Sequence, residues 1–138
     1  MKSRSMAAFY ALPNAWRKDE VSISRRAASA YEARVRIIAI DPSLRCSGFA
    51  VLEKVSGKVR TIEYGVVKNP PKLLPSGCLV AIRSRIAELI AQHEPECAVI
   101  EGVIFVQSHR TAITLGAARG AALVAAAERG LPDRKSVV

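Results

Sequence analysis

The chain has 138 residues, half of them hydrophobic, enough to bury one core and form one domain. Its 21 Lys and Arg against 12 Asp and Glu leave a formal charge of +9, which fits a polyanionic partner, most simply nucleic acid. No apolar run approaches the roughly 20 residues of a membrane span. The three cysteines, Cys46, Cys78 and Cys97, are odd in number and widely spaced, which argues against a disulfide framework or a zinc site and for reduced thiols in a cytosol.

Residues 1–34 differ from the rest, with seven basic residues against three acidic ones, a net +4. They show no sustained helical or strand period and no 7–15-residue apolar core of a secretory signal. This segment reads as a basic, disordered extension, with an arm that brushes DNA as the alternative. The pattern sharpens from Arg36. A run of apolar residues, Ile37 to Ile40, leads into Asp41 and reads as a strand buried on both faces, about Arg36–Asp41. Pro42 and Gly48 turn the chain into a second strand, about Gly48–Lys54. Ser56-Gly57 makes a tight connection to a third, Val59–Val67, in a hairpin.

Asn69-Pro70-Pro71 breaks the chain. Leu79, Ile82, Ile86, Leu89 and Ile90 then keep helical spacing from Pro75-Ser76 to near His93, which reads as a helix-end residue rather than a ligand. Cys97 to Glu101 is a further buried strand that ends in a carboxylate. The intervening helix makes a parallel crossover back to the first strand plausible. A long helix follows over Thr111–Arg129, closed by Gly130 and Leu131-Pro132. Its middle is rich in small residues that allow close packing, with Arg119 an outlier among them.

Asp41 and Glu101 repeat one theme, an apolar strand delivering an acid at its C-terminal end. Asp before Pro is also ordinary turn chemistry. Two such acids on parallel neighbours would open on the same sheet edge, about 4.8 Å apart, where they could share one metal ion or flank two. Magnesium suits hard oxygen ligands and keeps several waters. A pair of ions about 3.5–4 Å apart activates water and steadies the leaving oxygen of a phosphodiester.

The segment Asp41-Pro42-Ser43-Leu44-Arg45-Cys46-Ser47-Gly48-Phe49 resembles the D-P-G-L-x-x-T-G-aromatic opening of RuvC-type Holliday junction resolvases. The spacing to Val99-Ile100-Glu101 and to Leu115-Gly116-Ala117-Ala118-Arg119-Gly120-Ala121 is similar to that family as well, and the likeness covers about residues 36–132. It implies an α/β, ribonuclease H-like mixed sheet, three antiparallel strands plus a parallel one, with flanking helices, over residues 35–138. The implied activity is Mg²⁺-dependent nicking of four-way DNA junctions in recombination and repair, with Mn²⁺ as a substitute and two ions in an intact site. The implied partners are junction DNA, a second copy in a homodimer and a branch-migration helicase complex, in the cytoplasm and away from membranes.

By the same resemblance Asp41 and Glu101 are the catalytic, metal-binding carboxylates. Gln107, Ser108, His109 and Arg110 face DNA, joined by Arg45 and Arg119. The junction-wedging position falls on Ile104, with Phe105 beside it as a stand-in. Three departures stand out. Ser43 replaces a turn glycine, Ser47 replaces Thr, and the family's two further carboxylates on a C-terminal helix have no counterpart before Val138. Asp133 comes too early to match either. The expectation is therefore a domain lacking its last strand and helices, with weak or no cleavage and an uncovered apolar sheet face.

Three rival readings remain at this stage. One is a YqgF-like RNA-processing nuclease, which shares the opening motif. Another is an ATP-using member of the actin and sugar-kinase superfamily, which would need a second domain. The third is a non-catalytic remnant that grips junctions without cutting.

Overall fold

The computed structural model describes residues 34–102 and 108–135, the last three as backbone alone. The expected extension, Arg34 excepted, and the expected DNA-facing Ile104, Phe105 and Gln107 lie outside these residues. In chain order the elements are β1 (Val35–Asp41), β2 (Cys46–Val55), β3 (Lys58–Lys68), α1 (Pro75–His93), β4 (Cys97–Ile100), α2 (His109–Glu128) and β5 (Asp133–Lys135).

The strands form one mixed sheet in the order β3-β2-β1-β4-β5. β1, β2 and β3 pair antiparallel, and β4 pairs parallel to β1. The connection between β2 and β3 follows from its residues. Ser56 and Gly57 both take positive φ, 54° and 75°, the backbone of a two-residue hairpin turn that matches strand twist. The reading that no strand follows the long helix is corrected: β5 runs parallel to β4, with Ala98 opposite Asp133 and Ile100 opposite Lys135. These partners satisfy backbone groups that an edge β4 would otherwise leave bare.

α1 and α2 lie against the same sheet face. Ile38, Ile40, Phe49, Val51, Val67, Ala98 and Ile100 from the sheet meet Ile82, Ile86, Leu89 and Ile90 from α1 and Ala118, Ala122, Ala125 and Ala126 from α2 in one buried cluster. The alanines explain the small-residue run, since they let α2 sit tightly beside α1 and the sheet. β1 is not buried on both faces as its apolar run suggests. Ile38 and Ile40 are buried, but Ile37 and Ala39 are only half-buried, because none of the described helices covers their side.

Helix α1 stops without a glycine. Glu94 takes the left-handed conformation at φ 47° and its N–H donates to the Ile90 carbonyl at 2.9 Å. His93, read as a helix-end residue, is the last residue of α1. Its Nε2 lies 2.7 Å from Glu63 on β3, and Arg85 donates to the other Glu63 oxygen at 2.9 Å.

One polar cluster lies inside the helix-facing layer. Glu53 has no exposed side-chain surface and takes ion pairs from Arg34, Arg36 and Arg60. Arg36 also donates to the His93 carbonyl and so ties the end of α1 to the sheet. The Arg60 hydrogen bond, together with the charges of Arg34 and Arg60, outweighs burial and holds the Glu53 carboxyl below the ordinary value of 4.5. A lowered carboxylate stabilises the fold above its unfolded value and loses that contribution as pH falls through the folded value. Glu53→Gln is expected to lower the melting temperature at pH 7 by a few degrees, because it leaves the largely buried Arg36 guanidinium without its carboxylate while Arg34 and Arg60 stay in contact with solvent. The gap to the native chain should close as melts are repeated from pH 4.5 downward. A constant gap would show that charge is not the cause.

Candidate metal centre

The C-terminal ends of β1 and β4 open on the same edge because the strands run parallel, with Ile40 opposite Ile100. The next residue on each is acidic, Asp41 and Glu101. The ladder carries one bond past Ile100, from the Glu101 N–H to the Ile40 carbonyl at 3.0 Å. Asp41 therefore stands beside Glu101 on one side and opposite Gly48 on the other. A Cβ at Gly48 would lie 3.7 Å from the Asp41 Cβ, so a larger residue there would stand directly against the acid.

Both carboxylates are exposed and belong to the sheet face away from α1 and α2. They stand at the end of an open depression of about 470 Å³, lined also by Ala39, Gly48, Ala50 and Val99. The Glu101 carboxyl is pushed above the ordinary carboxylate value, first by its hydrogen bond with Asp41, then by the Asp41 charge and by partial burial. A bound cation would offset the mutual repulsion of two carboxylates placed this close.

This donor set fits a hard divalent cation. Two carboxylates suffice for an ion such as Mg²⁺ or Mn²⁺ that keeps several of its waters. Among the described residues no group of three or more His, Cys, Asp or Glu side chains converges. A second ion would need donors from outside them.

The turn after Asp41 is held from within. Buried Ser47 accepts from the Ser43 N–H at 3.0 Å and donates to the Ser43 carbonyl at 2.6 Å. The hydroxyl retained at position 47 closes the loop that begins at the acid. Ser43 is not among the residues with positive φ, so the turn is satisfied without glycine there. The turn is also fastened to the segment ahead of α1. Arg45 Nη1 lies 2.8 Å from the Pro70 carbonyl, 2.9 Å from the Leu73 carbonyl and 3.2 Å from Cys78 Sγ. Asn69 Nδ2 donates to the Leu44 carbonyl at 2.8 Å.

Arg45 thus has a bracing role in the fold that its expected DNA-facing role did not suggest. It also lines a groove of about 470 Å³ with Ser43, Pro75, Arg110, Thr111 and Thr114, which brings it together with Arg110. Ser108 and His109 are exposed at the start of α2. Arg119 lies elsewhere: its Nε donates to the backbone carbonyl of Glu101 at 3.1 Å. Ser47 and Arg119 stand out in the sequence, but the backbone partners of Ser47, Asn69 and Arg119 are set by the fold.

A family model for crossover junction endodeoxyribonuclease RuvC matches residues 37–135. The chain belongs to the RuvC family. It is 45% identical over 97 residues to RuvC of Akkermansia muciniphila, covering 70% of this chain and 58% of that one. It is 36% identical over 98 residues to RuvC of Myxococcus xanthus, covering 71% and 51%. The chain thus spans about half to three-fifths of the length of these RuvC relatives.

Among solved structures, Thermus thermophilus RuvC in complex with a Holliday junction substrate matches with a TM-score of 0.68 and 29% identity, over 73% of this chain and 63% of that one. A yeast mitochondrial Holliday junction resolvase shares the fold at a TM-score of 0.52 and 13% identity, over 78% and 55%. The mixed sheet with flanking helices is therefore the ribonuclease H-like fold of the resolvases. The YqgF-like and actin-like readings give way to RuvC. No helix among the described residues is long and apolar enough to cross a membrane.

Proposed function

We propose that this RuvC-family chain binds four-way DNA junctions and hydrolyses phosphodiester bonds in them with a divalent cation, Mg²⁺ or Mn²⁺, held by Asp41 and Glu101. The observation that carries the reading is the pairing of these acids at the exits of two parallel strands, above an open depression. A cation bound there supplies an activated water and neutralises charge on the phosphate. Asp41 and Glu101 hold and orient that ion, and the Ser47 clamp keeps the Asp41 turn in place. Two ions act when further carboxylates complete the site.

Arg45 and Arg110, with Ser108, His109 and the 103–107 stretch, meet the DNA. Arginines contribute sequence-independent phosphate contacts of the kind that fix register on a duplex. Ile104 and Phe105 supply the apolar wedge, and Gln107 a polar contact. On this reading the chain works in the cytoplasm beside a branch-migration helicase complex.

A homodimer accounts for the outer surface of α2. Ile113 and Val124 are 74% and 48% exposed, and Gly116, Ala117 and Gly120 lie between them at helical spacing. Such a stripe lets a second copy approach closely. Ile113→Glu is expected to shift the chain to monomer in analytical ultracentrifugation, with a weakening of self-association of at least about tenfold. Unchanged sedimentation would remove α2 from the interface.

Gel shifts in EDTA test the substrate class. The chain should bind a four-way junction at least about tenfold tighter than linear duplex of the same length and salt. In Mg²⁺, slow paired nicks that vanish in Asp41→Asn complete the reading. Junction selectivity without nicks would favour a binding chain that does not cut, and equal affinity for duplex would overturn both readings.

A further inference from the structure

We propose that Arg119 is a positioning residue for Glu101, holding the backbone of this carboxylate rather than contacting DNA. β4 ends at Ile100, which lies opposite Lys135, the last described residue of β5. Glu101 is the first residue past the end of β4. Its N–H still reaches the Ile40 carbonyl at 3.0 Å. Its own carbonyl is met instead by Arg119 Nε at 3.1 Å, across 18 residues of chain.

The helix that carries Arg119 is well fixed. Ala118 and Ala122, on either side of it in sequence, are both fully buried in the core. The bond thus transfers the rigidity of α2 to a residue that, among the described residues, the sheet holds through its N–H. The guanidinium is directed at the carbonyl, and no ion pair between Arg119 and the Glu101 carboxylate occurs among the described residues. Glu101 is anchored through its backbone, which leaves its carboxylate oxygens free of Arg119. A direct ion pair would anchor the side chain but compete with the metal.

The inference rests on the metal reading of Asp41 and Glu101, and its test separates the two. Arg119→Met and Arg119→Lys are compared with the native chain by amide hydrogen exchange and by Mn²⁺ titration. In Arg119→Met, exchange at the Glu101 amide should rise roughly tenfold while amides of β2 and α1 are unchanged. The Mn²⁺ dissociation constant should rise about fivefold, as for loss of one charge-assisted hydrogen bond. Arg119→Lys, which keeps a donor, should recover part of both. Unchanged exchange at Glu101, with weaker junction binding in EDTA, would overturn the proposal and return Arg119 to the DNA surface. Faster exchange at Glu101 in a chain whose Mn²⁺ binding ignores Asp41→Asn would sustain the positioning role and refute the metal reading.

Discussion

Asp41→Asn and Glu101→Gln are each expected to weaken Mn²⁺ binding roughly 30-fold or more while raising the melting temperature of the metal-free chain. The first effect follows from Coulomb attraction. A unit charge about 4 Å from a divalent cation counts for about 2 kcal/mol even at the dielectric of water, and more beside protein. The second follows from the raised Glu101 carboxyl, whose causes are first its hydrogen bond with Asp41 and then the Asp41 charge, so that two ionised acids repel at adjacent strand ends. Removing either charge relieves that repulsion.

The two effects have opposite signs, which a merely structural role for either acid would not produce. Melts in EDTA and Mn²⁺ titration followed by electron paramagnetic resonance check them together. The sign also sets the pH dependence. Because Glu101 holds its proton above the ordinary carboxylate value, Mn²⁺ affinity should fall as pH drops through that raised value, and less so in Asp41→Asn. Loss of both affinity and metal-free stability would mean that the acids hold the fold together.

Ala122→Leu is the packing change expected to do most damage. Ala118, Ala122 and Ala125 have no exposed surface and Ala126 almost none. They share one cluster with Ile82, Ile86 and Leu89 of α1. Three extra carbons at Ala122 have no room and must push α2 away from its neighbours. Overpacking of this kind costs about 1–3 kcal/mol, or roughly 5–20 °C in melting temperature for a domain of this size. The same change at the exposed Ala91 of α1 should stay within about 0.5 kcal/mol. Since Arg119 rides on the same helix, Ala122→Leu should also weaken Mn²⁺ binding, whereas Ala91→Leu should not.

Much of this architecture is legible in the sequence. Apolar runs ending in acids, a two-residue turn at Ser56-Gly57, and a helical stripe from Leu79 to Ile90 each carry a period or a punctuation mark that local sequence encodes. The helix between β3 and β4 made a parallel return reasonable, and hence the meeting of Asp41 and Glu101. What escaped was set by tertiary partners. Glu53 sits in line with Phe49 and Val51 on the helix-facing side, but only the fold brings Arg34, Arg36 and Arg60 around it. The bracing of Arg45 escaped because nothing local shows that the carbonyls of Pro70 and Leu73 face it. The bond of Arg119 escaped for the same reason, since its partner lies 18 residues back. Glu94 ends α1 in a conformation usually given to glycine, and β5 is too short to carry a period of its own.

The central claim is that one divalent cation sits between Asp41 and Glu101, and its location can be read directly. Titrating the ¹⁵N-labelled chain with substoichiometric Mn²⁺ should broaden first the amide signals of Asp41, Gly48, Glu101 and Gly102. Signals around the Glu53 cluster at the far end of the sheet should stay sharp. Broadening centred anywhere else, or spread evenly over the chain, would contradict the claim.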